Sequence, residues 1–253
     1  MFFDTHAHYD DSQFDSDREQ VLASMAEAGV ELIVNPGADM PSSRAARALA
    51  ARWPFVWFGA GVHPHDAAAM TDGDFDELRE MASDPKCVAV GEIGLDYHYD
   101  LSPRDVQKLR FEQQMELAAE LKKPVIIHER EACADVLGIV TRFRHVPGVL
   151  HCFSGSWETA KIILDQGWYL SFTGVITFKN ARKALEVVEK MPADRLMIET
   201  DSPYLAPVPV RGRRNDSRNL PYIAARAAEI RGIGTEELAA LSLANGKRFF
   251  GIP

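Results

Sequence analysis

The chain is built on a repeating rhythm, and that rhythm constrains its fold more than any other feature. Short apolar runs rich in β-branched and aromatic residues recur at 2–5, 31–35, 55–61, 87–91, 124–127, 148–151, 168–172 and 195–199. Within each run the apolar residues are continuous rather than alternating, as in strands of a parallel sheet covered on both faces. Segments with helical signals lie between and after these runs. Residues 17–29 place apolar side chains at 21, 22, 25 and 28 before a glycine suited to ending a helix. Helices are likewise predicted over 41–53, which opens on a proline, and over 103–121, 156–167, 180–191, 220–231 and 235–249. Parallel neighbours need crossovers of about a dozen residues or more. Strand then helix, eight times over, therefore predicts an α/β fold: a (β/α)8 TIM-like barrel.

Such a barrel takes about 250 residues, and the chain has 253. No internal repeat, low-complexity tract or Gly/Ser linker interrupts it, so a single domain over 1–253 is expected. Lys and Arg number 28 against 37 Asp and Glu, a net charge of −9. A protein that binds nucleic acid over its whole surface would be basic, so any phosphate must be met here by a local patch or by metal ions. The three cysteines, Cys87, Cys133 and Cys152, form no C-x-x-C pair. That argues against a disulfide framework or zinc knuckle and fits a reducing compartment. The opening MFFDTHAHYDD lacks the basic start of a signal peptide, and no stretch reaches the ~20 apolar residues of a membrane helix. A cytoplasmic location with no membrane association is expected, and no stable protein partner is evident.

The histidines decide the chemistry. His6 and His8 follow the first predicted strand, His63 and His65 the third, Glu92 the fourth, His128 the fifth, His151 the sixth and Asp201 the eighth. In a barrel of this kind the active site lies at the C-terminal ends of the strands. A single histidine there is ordinarily a satisfied polar residue, and a single carboxylate a helix cap or turn residue. Six imidazoles and two carboxylates on one rim are different, because buried polar groups need partners and a metal ion supplies them.

His6 and His8, two apart on a strand, point the same way and can share one cation. Four histidines with carboxylates suit Zn²⁺, Mn²⁺, Ni²⁺ or Fe²⁺, and open water positions leave Mg²⁺ available. The set is larger than one cation needs. The reading is His6, His8, Glu92 and Asp201 around one metal and Glu92, His128 and His151 around a second, with Glu92 bridging. Two such metals clamp the attacking and leaving oxygens of a phosphoryl displacement and lower the pKa of a bound water. Asp201 is then placed to orient that water and take its proton.

Several longer motifs span the chain: DTHAH (4–8), GVHPHD (61–66), VGEIGLDYHYD (90–100) and FEQQMELAAELKKPVIIHER (111–130). They continue with HCFSGS (151–156), IETDSPYL (198–205), PVPVRGRRN (207–215) and NGKRFFG (245–251). Together they resemble the TatD family of metal-dependent deoxyribonucleases, amidohydrolase-like barrels. The resemblance implies a metallo-dependent hydrolase barrel, divalent cations, hydrolysis of DNA phosphodiesters and 3′–5′ exonuclease activity. It carries the metal roles onto His6, His8, Glu92, His128, His151 and Asp201. Two departures stand out. His98 lies where an aromatic is more usual, and residues 216–219 intervene before Leu220–Pro221.

Other residues are candidates for substrate. His63 reaches a substrate phosphate or a third cation, or else is held in a turn by Pro64, and His65 shares that choice. Arg211, Arg213 and Arg214 lie in a loop over 202–219 with three prolines and four arginines, and their guanidinium groups suit bidentate phosphate contact. Tyr97 and Tyr204 could stack on a base. Glu199, two residues before Asp201, suits a supporting role. The primary reading is a two-metal nuclease on DNA, acting from a single-stranded end. The alternatives are hydrolysis of an amide, of an ester such as an aminoacyl-tRNA linkage, or of a small phosphodiester at the same site. A non-catalytic, metal-stabilised binding module is the remaining reading.

Overall fold

The computed structural model describes residues 1–253. The first half runs β1 (Phe2–Asp4), α1 (Arg18–Ala23), β2 (Val30–Pro36), α2 (Met40–Arg52), β3 (Val56–Ala60), α3 (Asp74–Ala82), β4 (Cys87–Asp96) and α4 (Arg104–Leu121). The second half runs β5 (Val125–Arg130), α5 (Cys133–Val140), β6 (Gly148–Leu150), α6 (Trp157–Leu164), β7 (Tyr169–Phe172), α7 (Arg182–Lys190), β8 (Leu196–Ile198), α8 (Leu220–Arg231) and α9 (Thr235–Phe250). The eight strands are parallel and follow one another in chain order. This is the (β/α)8 barrel class expected from the sequence, with α9 as an additional closing helix.

The chain groups into two compact units, residues 1–35 with 152–253, and residues 36–151. In the first, β1 pairs with β2 (Phe2 opposite Val30, Asp4 opposite Ile33) and β7 with β8 (Leu170 opposite Leu196, Phe172 opposite Ile198). The ends of β1 and β8 are tied by Thr5 Oγ1 donating to the Ile198 carbonyl at 3.1 Å. Farther along, Asp201 N donates to His6 O and His8 N to Ser202 O. Helix α9 lies against β1, and Gly246 permits that approach: a Cβ there would stand 2.6 Å from Phe3 Cδ1. In the second unit β3, β4, β5 and β6 pair in turn over a core that includes Phe58, Val90, Ile93, Val125 and Ile127.

The structure departs from the sequence reading in three places. Helix α1 ends at Ala23 rather than running to 29, because the Ser24 hydroxyl turns back onto Val21 O and Val30 N closes a turn onto Met25 O. Helices α3 and α5 carry no strong sequence signal. Helix α3 buries only Leu78, Met81 and Ala82 and opens on Asp74, Asp76 and Glu77, which complement the helix dipole. Strand β4 runs to Asp96, five residues beyond the predicted end. Its glycines obscure it: the pairing with β5 shifts between Val90 and Ile93, a bulge around Gly91 and Glu92, and then resumes with Gly94 opposite His128.

Gly94 has φ +144°, and a Cβ there would lie 2.0 Å from the His128 carbonyl oxygen. Gly94→Ala should therefore lower stability by on the order of 3 kcal/mol in urea denaturation, with strain pushed directly onto His128. A variant as stable as the parent would show that the β4–β5 contact is not this tight.

Candidate metal centre

The strand ends of the second unit bring four predicted residues together. Glu92 Oε1 stands 2.9 Å from His128 Nδ1, 2.8 Å from His151 Nε2 and 3.6 Å from His63 Nε2. His128 Nδ1 and His151 Nε2 are 3.2 Å apart. Glu92, His63 and His151 are buried. Behind them Asp96, fully buried, faces two imidazoles through one oxygen: Oδ2 is 2.9 Å from His65 Nε2 and 3.2 Å from His128 Nε2. Its other oxygen accepts from the backbone of His98 and Tyr99. His128 thus presents one nitrogen to Glu92 and the other to Asp96, the carboxylate–histidine arrangement that orients metal ligands.

Charge follows this geometry. Burial favours the neutral acid at Asp96, but the hydrogen bonds from His128, Tyr99 N and His65 outweigh it and hold the carboxyl far below its usual range. Burial works against protonating His128, and Asp96 and Glu92 overcome that and raise it. His63 goes the other way: burial, and then the neighbouring His128, keep it neutral. His63 Nδ1 accepts from His65 N at 3.2 Å. In the neutral ring Nε2 therefore carries the hydrogen, 3.6 Å from Glu92 Oε1.

Helix α4 holds these strand ends in place through two buried glutamines that sequence reasoning missed. Gln107 Oε1 accepts from Asp96 N, and its Nε2 donates to Asp96 O and Ser102 O. Gln114 Oε1 accepts from Val62 N at 2.8 Å, and its Nε2 donates to Val62 O at 3.0 Å, beside His63. The available signal was two amides seven residues apart on the face that also buries Phe111, Met115 and Ala118.

In the first unit His6, His8 and Asp201 come together. His6 Nε2 and His8 Nε2 are 3.0 Å apart, and Asp201 Oδ1 is 3.7 Å and 3.6 Å from them. Asp201 sits in the left-handed region at φ +54°. The hub here is Asp4, also missed. It accepts from Thr200 N, Thr200 Oγ1 and Ser217 Oγ, so the ends of β1 and β8 and the loop beyond are joined at one buried carboxylate. Burial pushes the Asp4 carboxyl up to about 7 against the pull of those hydrogen bonds. Ser217 belongs to the additional stretch 216–219, which thus has a structural task. Glu199 accepts from Cys152 N and Ser171 Oγ, both at 2.6 Å, and so fixes the backbone just after His151.

Both groups fit a cation. Two donors each about 2.1 Å from one metal lie about 3.0–3.4 Å apart. The His6–His8 and His128–His151 nitrogen pairs have that spacing, each beside a carboxylate. His63, Glu92 and His128 likewise gather three ligand-type atoms.

The remaining candidates are placed as follows. Tyr204 is half exposed, with its hydroxyl on Asp11 at 2.7 Å. Tyr97 is tied by its hydroxyl to Asp135. Arg214 is engaged twice by Asp17 and lies over Phe14. Arg211 lies over Phe178, and Arg213 is exposed. His98 is exposed and pairs with Glu131.

The chain is similar along its whole length to several known proteins. The family model for TatD related DNase matches residues 3–251. A Bacillus subtilis protein named as the uncharacterized metal-dependent hydrolase YabD is 44% identical, with both chains fully covered. The Citrobacter koseri protein named 3′-5′ ssDNA/RNA exonuclease TatD is 38% identical over 99% of each chain. The crystal structure of YJJV, a TatD homolog from Escherichia coli, is 30% identical and superposes with a TM-score of 0.93 over 100% of this chain and 98% of that one.

Gln114→Leu removes both partners of Val62 and leaves its buried N–H and C=O unsatisfied. It should cost about 2–3 kcal/mol in urea denaturation, whereas Gln113→Leu, one position away, should cost far less. Equal effects would mean that the Gln114 amide does not hold the His63 segment.

Proposed function

The chain belongs to the TatD-related DNase family and is a metal-dependent hydrolase, and from that premise we propose that it removes nucleotides from the 3′ end of single-stranded DNA. The carrying observation is the convergence of the His128 and His151 nitrogens on one oxygen of Glu92, at 2.9 and 2.8 Å. Relatives named 3′-5′ ssDNA/RNA exonuclease, 37–38% identical over nearly the whole chain, support the choice of substrate. In this reading two divalent cations are held, one by His6, His8 and Asp201 and the other by Glu92, His128 and His151. When bound, such cations polarise a phosphoryl oxygen and lower the pKa of a bound water.

The protein's own groups then have separate tasks. Asp201 orients the attacking water and accepts its proton at the side-chain carboxylate. Asp96 keeps the His128 ring in one orientation through the hydrogen bond to Nε2. His63, held neutral, donates from Nε2 to a non-bridging phosphate oxygen, and His65 supports it through its backbone N–H. Arg211 and Arg213 carry guanidinium groups without carboxylate partners and suit phosphate contact. Arg214 is neutralised by Asp17 and serves the loop instead. Tyr204 offers an aromatic face beside Asp201, to whose carbonyl its N–H is bonded. The enzyme acts in the cytoplasm.

Purified protein should release mononucleotides from a 3′-labelled single strand, fall silent in EDTA and recover with Mn²⁺ or Mg²⁺. Asp201→Asn should lower kcat by about 10²–10⁴-fold with an unchanged urea midpoint. Full activity of Asp201→Asn, or activity that persists in EDTA, would sink the assignment. Turnover of aminoacyl esters without turnover of DNA would shift it to the ester-hydrolase alternative.

A further inference from the structure

Two loops of the unit formed by residues 1–35 and 152–253 carry positive charge that the hydrolytic residues do not use. Residues 173–185, after β7, include Lys179, Arg182 and Lys183; residues 202–215, after β8, include Arg211, Arg213 and Arg214. Neither stretch contains an aspartate or a glutamate, in a chain with 37 acidic residues against 28 basic ones. The loops pack on each other. Val208 N donates to Thr177 Oγ1 at 2.9 Å, and the Arg211 guanidinium lies 4.3 Å from the Phe178 ring centre. Of the six cations only Arg214 is neutralised, by Asp17. Lys179, Arg182, Lys183, Arg211 and Arg213 are exposed and make no ion pair or side-chain hydrogen bond.

Several other exposed arginines are tied to acids, Arg44 to Glu77, Arg104 to Asp100 and Arg142 to Glu112, while the unpaired Arg130 and Arg144 belong to the other unit. Arg182 and Lys183 also stand in the first turn of α7, where the helix dipole disfavours cations. Their placement therefore works against the fold and in favour of an anion. The loop after β8 is continuous with the chemistry, because Tyr204 N donates to Asp201 O at 2.9 Å.

We propose that these two loops form a track for the sugar–phosphate backbone of a single strand, with Lys179, Arg182 and Lys183 meeting phosphates of nucleotides other than the one being cleaved. A row of unpaired cations interleaved with aromatic faces, here Phe178 and the half-exposed Tyr204, is how sequence-tolerant single-strand sites are built. The identity of the polymer rests on the nuclease reading. The anion track rests on the charge and packing of the two loops.

The test is fluorescence anisotropy of the metal-loaded full chain with a labelled single strand of about a dozen nucleotides whose phosphorothioate linkages resist cleavage, over a salt series. The variant Lys179→Glu/Arg182→Glu/Lys183→Glu should bind at least about tenfold more weakly, and its log–log salt slope should be shallower by about 2, at about 0.7 per lost contact. Acidic residues in the first turn of α7 favour the helix, so its urea midpoint should not fall. Lys122→Glu/Arg144→Glu, exposed cations of the other unit, should bind as the parent does. Equal affinity and slope in the triple variant would overturn the track. So would capture by phosphatidylserine vesicles with no binding to the oligonucleotide. The expected loss of binding in a protein that cleaves no ordinary DNA would support the track and remove the nuclease reading.

Discussion

Crowding imidazoles around one buried carboxylate is the constraint on which the rest of the molecule turns. Glu92 Oε1 has ring nitrogens of His128 and His151 within 3 Å, and those nitrogens are 3.2 Å from each other. In a low-dielectric interior such a group is unstable unless every donor and lone pair finds a partner. The fold meets that demand by surrounding the cluster with groups that fix one orientation and one protonation state. His63 is kept neutral, His128 is favoured in its charged form by two carboxylates, and Asp96 remains anionic. A cation held by the His128 Nδ1 and His151 Nε2 nitrogens would replace the proton on His128 Nδ1 and leave its Nε2–H on Asp96.

Each unit backs its cluster with a buried aspartate, and the two aspartates differ for a reason visible in their neighbours. Asp96 accepts hydrogen bonds from His128, Tyr99 N and His65, and these, with the charge of His128, outweigh burial and hold its carboxyl down. Asp4 has no imidazole partner; the hydrogen bonds from Thr200 and Ser217 pull it down, but burial, helped by the charge of Glu199, prevails. The first is an electrostatic partner for His65 and His128. The second is a hydrogen-bonding hub that registers β1, β8 and the stretch after 216. The glutamines of α4 do in neutral form what Asp96 does with charge. They clamp both the N–H and the C=O of a strand-end residue, which a lone apolar contact cannot do.

The barrel and the candidate ligands are legible in the sequence because both obey short-range rules. Continuous apolar runs mark parallel strands, and His6, His8, Glu92, His128, His151 and Asp201 stand out as candidate ligands because each falls at or just past the end of such a run. The supporting residues escaped because their partners are remote. Asp4 meets Ser217 across 213 positions and Arg214 meets Asp17 across 197, and no local pattern announces either. Helices α3 and α5 escaped for a different reason: each is short and has no side-chain cap to announce it. The predicted fourth strand stops at Gly91 because glycine ordinarily weakens a strand. Here Gly91 belongs to the bulge that interrupts pairing around Glu92, and Gly94 lets the backbone close on His128.

The charge of the chain shows how far a whole-sequence number can mislead about a site. A formal charge of −9 argues against broad contact with nucleic acid. Yet many of those carboxylates are committed locally: Glu77, Glu80, Asp84 and Glu120 pair with arginines, while Asp4, Asp96 and Glu199 are buried in hydrogen bonds. What a polyanion meets is the charge left unpaired at the surface it approaches, over a distance of about 10 Å at moderate salt. On the loops after β7 and β8 that remainder is positive. Such a local surface attracts a polyanion even though the chain as a whole carries an excess of acid, which is why the formal charge alone says little about this site.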